Sequence, residues 1–208
     1  MPDVKDTPNA RQRLLRAATS VFSAKGYAAT RVSDIVEKAG VAQGTFYIYF
    51  KSKQSIFVTL VDEFFSELLQ LTIGRYPATR VADASDLSDQ ISKIWHTVLS
   101  YCRARPDLAA LVLQERAALP KDERERLAAS YQRAADALTR YCVETARRGI
   151  TRPLDPALAA WVVIGMLERA VHYAVFVAPQ ADLDAIVRNL VTFELSGLAL
   201  APPKNTAP

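Results

Sequence analysis

Glycine is scarce in this 208-residue chain. There are seven, none arranged as a phosphate-cradling loop, and no serine sits in a nucleophile elbow. Histidine is scarcer, with only His96 and His172, and the two cysteines, Cys102 and Cys142, lack metal-ligand spacing. These absences argue against an enzyme, a metal site or a bound cofactor. The cysteines are expected as buried thiols rather than a disulfide. Long apolar runs are missing too. The longest, 157–167, falls short of the roughly 20 residues that span a bilayer, and Glu168 and Arg169 follow it directly. The first residues carry no apolar signal core. A cytoplasmic protein without a membrane partner is the expectation. No alternating β pattern of useful length and no internal repeat occurs, whereas Ala, Leu, Arg and Glu abound. The predicted fold is all-α, with about nine helices.

Charge is unevenly placed. Residues 1–57 hold nine Lys/Arg against four acids, and the remainder holds 17 against 18. The excess of positive charge thus belongs to the N-terminal quarter, which suggests an anionic partner for that segment.

Apolar spacing predicts a helix over 10–25, with Leu14, Leu15, Ala18, Val21 and Phe22 on one face and Gly26 ending it. Thr30 is placed as the N-cap of a short helix over 31–38, whose inner face is Val32, Ile35, Val36 and Ala39. Gly40 breaks that helix, Val41 is an apolar turn residue, and a third helix follows over 42–49. Ser52 can cap a fourth over 53–73. Further helices are predicted over 86–103, 107–119, 121–148, 156–177 and 182–200. Asp155 caps the next-to-last with Pro156 at its first position.

Two short helices joined by a glycine turn form a helix-turn-helix, in which the second helix enters the major groove of DNA. Here that helix is centred on 43–48. Gln43, Gly44, Thr45 and Tyr47 are read as outward, while Phe46 and Phe50 point into a small core. Gln43 has the amide that pairs with an adenine edge; Thr45 and Tyr47 can reach a phosphate or a thymine methyl. The other reading of Tyr47 and Tyr49 is plain packing.

The run "TRVSDIVEKAGVAQGTFYIYFKSKQSIF" over 30–57 resembles the DNA-binding domain of TetR-family (tetracycline-repressor-like) transcriptional regulators. The resemblance implies that Thr30 and Tyr49 hold phosphates, and that Lys51 meets one beside the N-terminus of the fourth helix. Two positions depart from the family pattern. Ala42 stands where Ser or Thr often caps the recognition helix, a loss of about 1 kcal/mol. Ser55 stands where an acid often completes a capping box with Ser52.

Residues 1–9, polar with two prolines, read as a flexible arm, and "APPKNTAP" over 201–208 as a disordered tail. The resemblance further implies a three-helix DNA-binding domain over 10–52 and a ligand-binding and dimerisation domain over 53–200. The partners implied are double-stranded operator DNA of palindromic form, a second copy of the chain, and a small-molecule effector whose binding releases the repressor. Effector-contacting candidates are residues with polar tips on apolar faces: Trp95, Tyr101, Gln114, Tyr131, Tyr141, Trp161, Glu168, His172 and Tyr173. An aromatic-rich, weakly charged interior favours an apolar or aromatic effector. Ala160, Ile164, Leu183, Ile186, Val187, Leu190 and Val191 are the expected homodimer contacts on the last two helices. The alternative is a helical interaction protein, or an activator of the same fold without ligand-induced release. A helical interaction protein without DNA binding leaves the basic quarter and the ordered motif unexplained.

Overall fold

The computed structural model describes residues 9–113 and 119–198. Residues 1–8 of the expected arm, the 201–208 tail and Gln114 lie outside the described residues. Among these residues nine α-helices run in the order α1 (Ala10–Ala29), α2 (Val32–Ala39), α3 (Gln43–Tyr49), α4 (Lys53–Leu69), α5 (Ala84–Arg103), α6 (Pro106–Leu113), α7 (Lys121–Arg147), α8 (Pro156–His172) and α9 (Leu183–Leu198), with no strand. The chain groups into two compact units, Met1–Phe65 with Arg105–Ser130, and Ser66–Ala104 with Tyr131–Pro208.

In the first unit every residue of the expected α1 face is buried, and so are Ile35, Val36 and Ala39 of α2; Val32 is only half-buried. Phe22 and Tyr27 of α1 meet Phe57 of α4 edge-on, with ring centroids 6.0 and 4.9 Å away. Polar pins add to this core: Ser23 of α1 donates to Asp107 of α6 at 3.1 Å, and Ser130 of α7 to Asp62 of α4 at 3.0 Å.

Two local expectations need correction. Gly26 takes φ 76° and ψ 157°, a kink rather than an end, and the helix resumes to Ala29. Thr30 is not the N-cap of α2. It is 2% exposed, and its hydroxyl donates to Gly26 O at 2.8 Å. Arg31 takes the cap position, where its N–H donates to Asp34 Oδ2 at 2.8 Å.

In the second unit α5 packs against α9 and α8. Leu87, Ile91, Trp95, Val98 and Cys102 form its buried face, with Ile94 half-buried. The Asp155 carboxylate accepts from the N–H groups of Ala157 and Leu158, the cap expected for α8. Helix α4 ends in a π turn (Gln70–Gly74), and so does α8 (Tyr173–Val177). Arg103 donates to the carbonyls of Ala174, Ala178 and Ala181 at 3.0, 3.3 and 3.0 Å, satisfying the backbone there. The 22 residues Pro156–Val177 are long and apolar enough to cross a bilayer by length and composition alone, a longer stretch than the 157–167 run.

Of the residues expected at a partner contact on the last two helices, Ala160, Ile164, Val187 and Val191 are buried within their own chain. Leu183, Ile186 and Leu190 are half-buried. The apolar side chains left in solvent are Leu158, Trp161 and Val162 on α8 and Phe193 on α9, the last 74% exposed.

Candidate nucleic-acid interface

The turn between α2 and α3 is built on Gly40, at φ 61° and ψ 43°. Its N–H donates to Glu37 O, and that of Val41 to Val36 O, both at 3.1 Å. A side chain there is strained, and its Cβ would stand 3.0 Å from Arg13 Nη2. Arg13 is the reason for the crowding. Its guanidinium donates to Ala39 O through Nε (3.1 Å) and Nη2 (2.6 Å), and to Gly40 O at 2.6 Å. A cation thus satisfies carbonyls at the negative end of α2 and ties α1 to the turn. Arg13 is absent from the sequence-derived candidates, because nothing in its local spacing says which carbonyls it will meet.

Helix α3 starts after Ala42 without a side-chain cap. Its anchor is Phe46, fully buried, with Phe50 beside it at 5.8 Å between ring centroids. The rest of the helix faces out. Gln43 and Gly44 are exposed, Thr45 is half-buried, Tyr47 is 53% and Tyr49 44% exposed. Tyr47 rests edge-on against Phe46 at 5.3 Å between ring centroids, yet much of both tyrosines stands in solvent. Ile48, which the sequence-derived candidates omit, is 76% exposed. Lys51 is exposed immediately before α4. Thr30 stands apart from this set, with its hydroxyl turned inward.

Helix α4 opens with a capping box made of two serines. Ser55 N–H donates to Ser52 Oγ, and Ser52 N–H to Ser55 Oγ, each at 3.1 Å. Ser55 therefore does what an acid does at that position, and the departure costs the cap nothing in partners. Lys53 has a different role from Lys51. Its ammonium donates to the carbonyls of Tyr27 (2.8 Å), Ala28 (3.3 Å) and Thr30 (2.8 Å), and lies 4.5 Å from the Tyr27 ring centroid. Burial holds its pKa below the ordinary lysine value, against the pull of Glu123. Burial also pushes the Tyr27 phenol upward, as does the hydrogen bond it donates to Glu123. Replacing Lys53 by Met leaves the carbonyl ends of α1 without this donor. The expected loss is about 1.5–3 kcal/mol, the range for hydrogen bonds to charged groups. Lys51→Met is expected to stay within about 0.5 kcal/mol. Urea unfolding followed by circular dichroism separates the two; equal midpoints would contradict the assignment.

The second unit holds a polar cluster that the candidates touch only in part. Trp95 Nε1 donates to Glu194 Oε2 at 2.6 Å, and Gln90 Nε2 donates to Tyr141 OH at 2.8 Å. Burial raises the Tyr141 phenol to about 12, opposed by the Gln90 bond and aided by Glu194. Burial likewise raises the Cys142 thiol and the Glu194 carboxyl, the latter opposed by Trp95. Trp95 and Tyr141 are thus brought together around Glu194 and Gln90, neither of which was expected. Tyr101 lies elsewhere, donating to Glu67 at 2.7 Å. Tyr131 is buried; Glu168 and His172 are half-buried, the latter with its ring 5.7 Å from that of Phe176. Trp161 and Tyr173 are 43% and 48% exposed, so these two candidates face outward rather than into an interior site.

Comparison with known proteins agrees with this anatomy. The profile "Bacterial regulatory proteins, tetR family" matches residues 14–60, and "Tetracyclin repressor-like, C-terminal domain" matches residues 84–172. Two HTH-type transcriptional regulators of Bacillus subtilis, YdgC and YvdT, are 36% identical over 101 residues and 41% over 71. These matches cover 49% and 34% of this chain, and span 51% and 37% of the relatives' own length. The structure of the transcriptional regulator FadR from Bacillus subtilis in complex with stearoyl-CoA superposes with a TM-score of 0.75 at 24% identity, over 89% of this chain and 97% of that one. With both profiles matched in order, the chain belongs to the tetR family of bacterial regulatory proteins.

Proposed function

We infer that this protein is a transcriptional repressor that binds palindromic operator DNA as a homodimer and is released by a small-molecule effector. The observation that carries the reading is the outward face of α3, with Gln43, Gly44, Thr45, Tyr47 and Tyr49, beside exposed Lys51 in the basic quarter of the chain. Residues 10–52 are the proposed DNA-binding segment. Tyr49 and Lys51 position the protein on phosphates, and Gln43, Thr45 and Tyr47 reach bases. Residues 53–200 are proposed to hold the effector and the dimer contacts, with Trp95, Tyr141 and Glu194 as the polar contacts for an effector with an apolar body. The exposed apolar residues of α8 and α9 are the proposed partner surface. A cytoplasmic location, and action by binding alone rather than by a chemical step, are part of the proposed reading, in keeping with the family matches.

The test is selection of double-stranded DNA from a random-sequence pool by the full chain, followed by affinity measurement across salt concentration. Lys51→Ala is expected to weaken binding to all sequences alike and to lower the salt slope by about 2, one phosphate contact per protomer of the dimer. Tyr47→Ala is expected to weaken binding mainly to the selected sequence. Unchanged affinity and slope in both variants, or failure to select any sequence, would overturn the reading.

A further inference from the structure

Two features of α3 have no explanation inside the folded chain. The first is Ile48, the most exposed large apolar side chain among the described residues. The second is Gly44. Its φ is not positive, and a Cβ built on it meets nothing within 4 Å. A turn does not require glycine there, nor does packing, while a helix is less stable with glycine than with alanine.

The two lie on one line. At roughly 100° per residue, Gly44 and Ile48 each fall roughly 160° from buried Phe46, one on either side of the direction opposite it. They therefore form the outermost strip of the helix. Gln43 and Tyr47 flank it on one side, Thr45 and Tyr49 on the other. When the helix enters a major groove with Phe46 towards the protein, this strip comes closest to the base edges. A gap at 44 lets the backbone approach, and an apolar side chain at 48 arrives there. The major groove offers one apolar group on its base edges, the C5-methyl of thymine. The remaining edges are hydrogen-bonding atoms that an isoleucine would desolvate without replacing their bonds.

We propose that Ile48 is a specificity-determining residue that packs on a thymine methyl, and that Gly44 provides the clearance for it. This rests on the DNA-binding reading above. The experiment uses the full chain and the double-stranded sequence it selects from the random pool. Each thymine is replaced in turn by uracil, which lacks only the methyl. At one thymine per half-site the wild-type protein is expected to lose about three- to fivefold in affinity, the worth of one buried methyl. Ile48→Ala is expected to bind the thymine and uracil forms equally, with the salt slope unchanged. Gly44→Ala is expected to unfold at a higher temperature yet bind the same DNA more weakly, two changes that a merely structural glycine would not combine. If the chain selects no sequence, the DNA-binding reading falls and this assignment with it. If it selects one but uracil is neutral everywhere, or the penalty persists in Ile48→Ala, the assignment to Ile48 falls alone. A Gly44→Ala protein with unchanged affinity overturns the clearance role.

Discussion

A double substitution, Leu158→Glu with Val162→Glu, is expected to yield a folded monomer that has lost more than a hundredfold in operator affinity. Both residues stand in solvent on α8, at i and i+4, so one helix face carries them. Exposed positions tolerate a charge at about 0.5 kcal/mol or less, so the fold should survive. The partner surface proposed above should not. In a two-fold dimer the same patch meets itself, and carboxylates brought face to face repel while losing water. Gly165, in the same row one turn on, is exposed and has open space around a Cβ, which suits close approach of a second helix. Loss of DNA binding follows from geometry. A palindromic site presents half-sites about 34–36 Å apart, and a single α3 then binds one half-site only. Specific binding by such proteins typically exceeds non-specific binding by about a thousandfold or more. Sedimentation shows the mass and circular dichroism the fold. A dimer that persists in the double variant would move the interface elsewhere.

The proposed partner surface differs from the residues expected from sequence, for a physical reason. Residues 156–167 are apolar almost all round, so periodicity alone does not say which half of α8 meets its own chain. The structure turns Ala160 and Ile164 inward and leaves Leu158, Trp161 and Val162 out. Helix α9 repeats the problem, with Val187 and Val191 taken by the chain's own core. The helix-turn-helix was far more legible, because its signals are local. Gly40 breaks a helix by its own backbone freedom, and the faces of α1, α2 and α3 alternate clearly between apolar and polar. What the sequence withheld there are the long-range partners. Arg13 on the carbonyls of α2, Lys53 on the end of α1 and Glu123 under Tyr27 join residues between 23 and 96 positions apart. Such pairs depend on which helices meet, and charged residues on a helix otherwise read as solvated.

Glu194 is the sharpest of these, and its replacement by Gln is expected to stabilise the protein at neutral pH. The carboxyl projects from α9 towards Trp95, accepts the indole N–H at 2.6 Å, and belongs to a half-buried residue. Burial raises its pKa above the ordinary carboxylate value near 4.5, and the Trp95 bond recovers only part of that. The folded protein therefore holds the proton more tightly than the unfolded chain does. Below the unfolded pKa both states are protonated and the penalty is absent. As pH rises from there through the folded pKa, the folded state acquires a charge it solvates poorly, and stability falls. The penalty is complete only above the folded pKa, so it grows from acid towards neutral pH. Glutamine keeps a carbonyl oxygen for the Trp95 N–H without the charge, so Glu194→Gln removes the penalty and retains the bond. Each unit of raised pKa corresponds to about 1.4 kcal/mol, and each kcal/mol to about 2–4 °C in Tm for a chain of this size. The gain should vanish in acid, below the ordinary carboxylate range. Glu194→Leu tests the other half, since it strands the buried indole N–H at a cost of about 1–3 kcal/mol. Thermal unfolding of the three proteins across pH decides the matter. A Gln variant no more stable than wild type at neutral pH, or a gain that does not shrink in acid, would mean that Glu194 is solvated well enough to carry its charge.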